Sequence, residues 1–150
     1  MIVVKIHTSK GYLDFELYDK DAPQTVAHFR GLVKHGFYNG LTFFKHIPNT
    51  LIQTGCPNND GTGHPGYFVK CELDENQRKH DFGTLSMAHT ARDCNGSQFF
   101  ICLGRSEGDI FDQNHTCFGH LLNKGFDVLP ELRMGDIIEK MTIEEVDGQG

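Results

Sequence analysis

The chain has 150 residues, of which 38% are hydrophobic, and a formal net charge of −6 at pH 7. This length fits one domain, 1–150, with a substantial core. Lysines and arginines are scattered without a basic stripe, which argues against a nucleic-acid partner. No apolar run approaches the roughly 20 residues that cross a bilayer, which argues against a membrane protein. The 17 glycines and 12 phenylalanines favour a β-rich fold with many tight turns.

The cysteines and the N-terminus bear on the compartment. Five cysteines, an odd number without a C-x-x-C pair, predict free thiols in a reducing environment. The chain reads as a strand from residue 2 and lacks the basic start, apolar stretch and cleavage site of a signal peptide. We therefore expect a cytoplasmic protein, with the nucleus as the alternative. Nothing in the sequence indicates oligomerisation, so we expect a monomer.

The chain opens with a predicted hairpin. Residues 2–7 and 12–18 read as strands, and Ser9-Lys10-Gly11 between them supplies the turn. Leu13 and Phe15 alternate with polar residues along the second strand, which is typical of a strand with one buried face.

A helix is predicted over residues 22–35. Asp21 is placed to cap it, and Pro23 falls in the first turn, where a missing N–H is harmless. Gly36 is a natural end of the helix. Apolar residues recur at three- and four-residue steps and give the helix one buried face: Val26, Phe29 and Val33.

Short strands dominate the rest of the chain. A glycine-rich loop covers 55–66, and a second, shorter helix is predicted near 127–133, with Pro130 in its first turn. Many strands with two helices predict a closed barrel, which leaves no exposed sheet edge, with a β-sandwich as the alternative. The predicted strands are Thr42–His46, Leu51–Thr54, Thr84–Ala88, Gln98–Leu103, Thr116–Leu122 and Met141–Val146.

Two motifs suggest ligands but lack the required context. Residues 61–66 match G-x-G-x-x-G, yet a dinucleotide site needs a strand before the motif and a helix after it. Here Pro57 precedes the motif and Pro65 interrupts it, so we expect a surface loop. Nine histidines show none of the spacings of known zinc motifs. We predict no metal and no cofactor.

Two runs of residues, Gly83–Ala88 and Gly96–Cys102, resemble the cyclophilins, the peptidyl-prolyl isomerases that bind cyclosporin. The resemblance covers nearly the whole chain and implies an eight-stranded antiparallel barrel capped by two helices, which favours the barrel over the sandwich. It further implies a partner that is a proline-containing peptide or protein. It extends through Asp21–Val26, Tyr38–Gly40, Ile52–Gly55, Gly61–Gly63 and Phe118–Gly119.

The chemistry of such a site follows from the amide bond. Rotation about an X–Pro bond crosses a barrier of about 18–20 kcal/mol because of its partial double-bond character. A catalyst that binds the twisted state better than either planar isomer lowers this barrier. It needs an apolar cup for the proline ring and a donor near the prolyl nitrogen. The resemblance implies four catalytic residues: Lys45, Gln53, Phe100 and His115.

The resemblance also implies a set of substrate-binding residues, several of which depart from the family pattern. Lys45 replaces an arginine and lacks its planar fork of donors, so we expect reduced activity. Thr50 replaces a pocket phenylalanine, and Ile110 replaces a tryptophan linked with cyclosporin binding, so we expect weak cyclosporin binding. The substrate-binding set is Phe44, Thr50, Leu51, Ala88, His89, Gln98, Ile110 and Phe111.

The departures leave two other hypotheses open. The first is a proline-segment binding module in a protein complex, without useful catalysis, and it rests on Lys45, Phe44 and Thr50 occurring together. The second is a metal- or redox-responsive protein, and it rests only on the numbers of histidines and cysteines.

Overall fold

The computed structural model describes residues 1–73, 79–89, 93–104, 111–112, 114–122 and 125–146. Within them, eight antiparallel strands form one curled half-barrel, and one α-helix, α1 (Pro23–Lys34), packs against it. The strands are β1 (Ile2–Thr8), β2 (Gly11–Leu17), β3 (Lys45–Ile47), β4 (Leu51–Thr54), β5 (Thr84–Met87), β6 (Phe99–Cys102), β7 (Cys117–Leu121) and β8 (Ile138–Glu145).

The sheet has the strand order β3-β4-β6-β5-β7-β2-β1-β8. The predicted strands are all present, and apart from the starts of two strands their ends lie within one residue of the predicted ones. The predicted strand from Thr42 begins only at Lys45, because Thr42 instead forms an isolated bridge with Ile137. The last strand begins at Ile138 rather than Met141, because a bulge opposite Thr8 shifts the register and breaks the alternation that sequence reasoning needs.

The predicted first helix is confirmed, but its cap is not the predicted one. Ala22, not Asp21, occupies the N-cap position, and it has no side chain to accept the free amides. The carboxylate of Glu72 accepts them instead, from Gln24 at 3.2 Å and from Thr25 at 2.6 Å. An acidic group at a helix N-terminus also interacts favourably with the helix dipole. The capping group therefore comes from a distant segment rather than from the preceding residue.

The second predicted helix is wrong. Residues near 127–133 contain only a three-residue 3-10 turn, Leu129–Glu131. Pro130 has no amide hydrogen to continue a helical ladder, and Leu132 returns to extended backbone with ψ 140°. The sequence pattern gave the position of a turn but overstated its length.

Two adjacent phenylalanines of β6 point to opposite faces of the sheet, one to the main core and one to the outer face. Side chains of neighbouring strand residues point to opposite faces of a sheet. Phe99 faces the main core, where its ring centroid lies 5.3 Å from those of Phe29 and Tyr38. Phe100 faces the other way, into a small cluster with Leu51 and Cys102. Residues of β4 and β6 whose side chains point to the same face as that of Phe100 therefore form a second, outer surface.

Candidate active site

A cleft of about 600 Å³ lies on this outer surface. Strands β3, β4 and β6 supply one wall, and the glycine-rich loop 57–66 supplies another. The remaining lining residues are Phe68, Ala88, His89, Cys94, Gly96, Ser97, Gln98, Phe111 and His115. The cleft combines an apolar end with a row of polar groups.

The apolar end is built around Phe100, which is almost fully buried. The ring of Phe111 lies 5.0 Å from it, and the ring of His115 meets it edge-on at 5.4 Å. Leu51 packs in the same cluster, and Ala88 contacts it. These side chains form an apolar cup that fits a small ring such as proline.

His115 is a neutral group in this cup. Its pKa is lowered to about 4, chiefly by burial and also by the neighbouring His89 and His80, against the hydrogen bond to Met87, which raises it. Nδ1 of His115 lies 2.9 Å from the backbone oxygen of Met87, so this nitrogen carries the proton and donates it. The ring of His89 stacks on that of His115 at 4.3 Å, and its Nε2 donates to the oxygen of Asn114 at 2.8 Å.

The polar groups form a chain of two side-chain amides. Gln53 donates to the amide oxygen of Gln98 at 3.1 Å. Gln98 in turn donates to the backbone oxygens of Gly61 at 2.9 Å and Gly63 at 3.0 Å. The two glutamines therefore join β4 to the glycine-rich loop and hold that loop as a wall of the cleft.

Lys45 lies at the open rim of the cleft. It is exposed, and its Cα is the register partner of Gln53 across β3 and β4. Its neighbour Phe44 lines the cleft beside Gly61, where an added Cβ would come within 3.3 Å of the Phe44 ring. Among the described residues that line the cleft, Lys45 is the one lysine or arginine.

The cleft brings together all but two of the predicted site residues: Phe44, Lys45, Leu51, Gln53, Ala88, His89, Gln98, Phe100, Phe111 and His115. Thr50 is buried and does not line the cleft; its carbonyl accepts the amide of Leu103, which holds the end of β4 against β6. Ile110 lies outside the described residues.

Several lining residues were missed by sequence reasoning. Asp60, Thr62 and His64 come from the predicted glycine-rich loop 55–66, Phe68 follows that loop, and Cys94 lies farther along the chain. The signal that points to the loop is the pair of polar glutamines in strands, since buried amides need acceptors. The loop carbonyls supply these acceptors.

Two kinds of feature, a metal-binding cluster and a membrane-spanning helix, are not found among the described residues. No group of three or more His, Cys, Asp or Glu side chains among them is placed to hold a metal ion. In the same part of the chain, no helix has the length and apolar character that a bilayer span requires. None of the five cysteines, all of which are described, forms a disulfide.

Comparison with known proteins agrees with this geometry. The family model for the cyclophilin type peptidyl-prolyl cis-trans isomerase matches residues 3–147. A peptidyl-prolyl cis-trans isomerase of Helicobacter pylori is 47% identical over 137 residues, which cover 91% of this chain and 83% of the relative. Peptidyl-prolyl cis-trans isomerase B of Bacillus subtilis is 42% identical over 132 residues, covering 88% of this chain and 90% of the relative.

A solved structure has the same fold. The cyclophilin type isomerase of Cryptosporidium parvum, crystallised in the presence of the dipeptide Ala-Pro, superposes with a TM-score of 0.86 at 30% identity. The match covers 96% of this chain and 99% of that chain. With a family model that spans nearly all residues and relatives above 40% identity, the chain belongs to the cyclophilin-type peptidyl-prolyl cis-trans isomerase family.

Proposed function

We propose that this protein is a peptidyl-prolyl cis-trans isomerase that works with reduced turnover because a lysine replaces the family's arginine. The observation that carries the proposal is a single cleft that Lys45 and Gln53 line together with the apolar cup around Phe100 and His115. This is the combination that a twisted X–Pro bond needs: a cup for the ring and a donor for the prolyl nitrogen.

The mechanism follows from the loss of resonance. As the X–Pro amide twists, the lone pair localises on the prolyl nitrogen and becomes a better acceptor. Lys45 donates to this nitrogen more strongly in the twisted state than in either planar state, which lowers the barrier. His115 and Phe100 hold the proline ring by packing against it. No covalent intermediate and no cofactor take part.

Lysine is a poorer group than arginine at this position. It is a hydrated point charge on a flexible stem, whereas arginine presents a planar fork of donors. Lys45 is exposed at the rim of the cleft, so its ammonium group remains well hydrated. The positive charge is kept but its position is less well defined, which supports weak rather than absent catalysis.

The experiment is two-dimensional NMR exchange on a short Ala-Pro peptide with wild type, Lys45→Arg and Lys45→Met. We expect wild type to accelerate cis–trans exchange and Lys45→Arg to accelerate it further. Lys45→Met, which keeps the length but not the charge, loses about 10²–10³ in rate if this donor is used. Lys140→Arg on β8 is the matched control for an exposed lysine outside the cleft.

The alternative is a proline-segment binding module, and the same spectra decide it. A wild type that shifts resonances of the cleft residues without exchange between cis and trans signals is a binder and not an isomerase. A peptide that shifts no cleft resonance at all contradicts both functions.

We also infer that the half-barrel closes between its edge strands. Supporting this, residues 40–43, which precede β3, exchange backbone hydrogen bonds with residues 135–138, which lead into β8. The amide of Phe43 donates to Asp136 at 2.9 Å, and the amide of Ile138 donates to Leu41 at 2.8 Å. Slow amide hydrogen exchange at both residues is the expected result, and fast exchange at both contradicts closure.

The remaining proposals concern partners and location. We propose that the natural ligands are proline-containing segments, and that cyclosporin binds weakly since Thr50 and Ile110 depart from the family pattern. A sub-micromolar cyclosporin Kd by calorimetry contradicts this. We propose a cytoplasmic monomer, and five cysteines without a disulfide support the reducing compartment. Light scattering and fractionation of cells that express the tagged protein test the two parts.

A further inference from the structure

Directly behind the apolar cup lies a chain of three polar side chains, Asp112, His80 and Ser86. Nδ1 of His80 is 2.9 Å from Oδ1 of Asp112, and its Nε2 is 2.8 Å from Oγ of Ser86. These residue types and distances are those of a nucleophilic triad. Yet His80 and Ser86 are both 0% exposed, so no substrate reaches the serine. A nucleophilic role is excluded by access, and the cost of burying three polar groups calls for another explanation.

The chain ties together three segments that carry the cup. Ser86 lies in β5 directly opposite Phe100 of β6, so the two side chains share a face of the sheet. Asp112 follows Phe111, and its Oδ1 also accepts the backbone amide of His80 at 2.8 Å. The hydroxyl of Ser86 lies 3.2 Å from the oxygen of Thr116, next to His115.

The ring of His80 also contacts both aromatic walls of the cup. It lies nearly parallel to the ring of Phe100, with centroids 6.1 Å apart and an angle of 19°. It is tilted by 55° against the ring of Phe111 at 5.7 Å. Hydrogen bonds at both ring nitrogens fix the plane of an imidazole. Asp112 and Ser86 therefore fix the orientation of the His80 ring. The rings of Phe100 and Phe111 pack against this fixed ring.

We propose that His80, held between Asp112 and Ser86, is a positioning residue for the isomerisation, because it fixes the rings of Phe100 and Phe111 that hold the substrate proline. The inference rests on the proposed function of the cleft. Nδ1 of His80 donates to the Asp112 carboxylate, and Nε2 is hydrogen-bonded to Oγ of Ser86, whose hydroxyl donates to the backbone oxygen of Thr116. Correct placement of the proline ring keeps the prolyl nitrogen within reach of its donor, and a misplacement of about 1 Å costs about 10²-fold in rate.

The test uses NMR exchange on the Ala-Pro peptide, which gives both the exchange rate in the complex and the Kd. Ser86→Ala removes one anchor of the imidazole, Asp112→Asn weakens the other, and His80→Asn removes the ring. Thr8→Val is the control, since Thr8 is also buried and its hydroxyl donates to Gly11 at 2.7 Å, outside the cleft. Chemical shifts of the Phe100 and Phe111 ring protons report the ring positions.

We expect the exchange rate to fall by about 10- to 100-fold in His80→Asn and by less in the other two variants. The Kd changes by a smaller factor than the rate, the two rings shift, and Thr8→Val behaves as wild type. Folded variants of His80 with the wild-type rate overturn the inference. If His80→Asn does not fold, unchanged rates and ring shifts in both Ser86→Ala and Asp112→Asn overturn it.

Failure of the proposed function looks different. In that case wild type itself does not accelerate exchange, and the role of His80 in the isomerisation rate is refuted together with the proposed function. The ring shifts then decide the positioning role: unchanged Phe100 and Phe111 resonances in folded His80→Asn overturn it, and shifted rings with an altered peptide Kd retain it for binding.

Discussion

Replacing Gln98 by leucine is the sharpest test of how the cleft wall is held. The side-chain amide accepts one hydrogen bond from Gln53 at 3.1 Å and donates two, to Gly61 at 2.9 Å and Gly63 at 3.0 Å. Gln98→Leu removes all three while keeping a similar volume. Each such bond contributes a net 0.5–1.5 kcal/mol on average, about 1 kcal/mol being typical. Because Gln98 is only half-buried, water replaces part of the loss.

We therefore expect Gln98→Leu to lower the free energy of unfolding by about 1–3 kcal/mol. Urea denaturation measures this, with an unchanged m value as the sign that the unfolded state is unaffected. Amide resonances of the loop 57–66 shift, and the Kd for an Ala-Pro peptide rises, because the loop forms one wall of the cleft. Gln24→Leu, an exposed glutamine of α1, is the matched control.

Two results refute this reasoning. The first is a loss of less than about 0.5 kcal/mol, the scatter of an ordinary surface substitution. The second is a destabilised protein whose loop resonances and peptide Kd are those of wild type, since the loop is then held by other contacts. Destabilisation by Gln24→Leu to the same degree shows that the effect comes from leucine and not from the lost bonds.

Three further predictions concern His115, the cap of α1 and a glycine beside the cleft. The lowered pKa of His115, about 4, means that the unfolded chain binds more protons between about pH 6.5 and 4, so wild type loses stability as the pH falls through this window. Urea denaturation at several pH values should show a smaller loss in His115→Gln, and equal losses contradict the burial of this ring. Glu72→Gln removes the charge that faces the first turn of α1 and should lower the free energy of unfolding by about 1 kcal/mol; an unchanged value contradicts the capping role. Gly55→Ala puts a Cβ at 2.5 Å from the Ser97 oxygen, whereas Gly40→Ala has the same positive φ but open space. Thermal unfolding should therefore show a larger loss for Gly55→Ala, and equal losses contradict the close approach.

Local pattern accounts for the elements that local interactions determine. The hairpin of β1 and β2 and the start and end of α1 follow from alternation, from Pro23 and from Gly36, and all three are confirmed. The cap of α1 could not be read from the sequence, because Glu72 is 48 residues from Gln24 and only the folded chain brings them together. The prediction of a longer helix at Pro130 failed for a different reason. A proline is allowed in the first turn of a helix, but this does not guarantee that a second turn follows.

The candidate site divides in the same way. Its side chains came from the family resemblance, residue by residue, and the cleft gathers nearly all of them. The contacts that hold these side chains could not be predicted, because a sequence does not show which backbone oxygens, here those of Gly61 and Gly63, accept their hydrogen bonds. Nor does the sequence show that His80 lies between Asp112 and Ser86, because these residues belong to three separate segments.

The position of Lys45 allows its side chain to change without loss of the fold. Most residues of the cleft have two roles, since Phe100 and Gln98 both line it and pack against or bind neighbouring segments. Lys45 instead lies exposed on β3, the edge strand of the sheet, and contributes its backbone to the ladder with Gln53. A side-chain change there alters the donor but no buried contact. Lys45→Arg should therefore change the exchange rate of a bound proline peptide while the free energy of unfolding stays within about 0.5 kcal/mol of wild type.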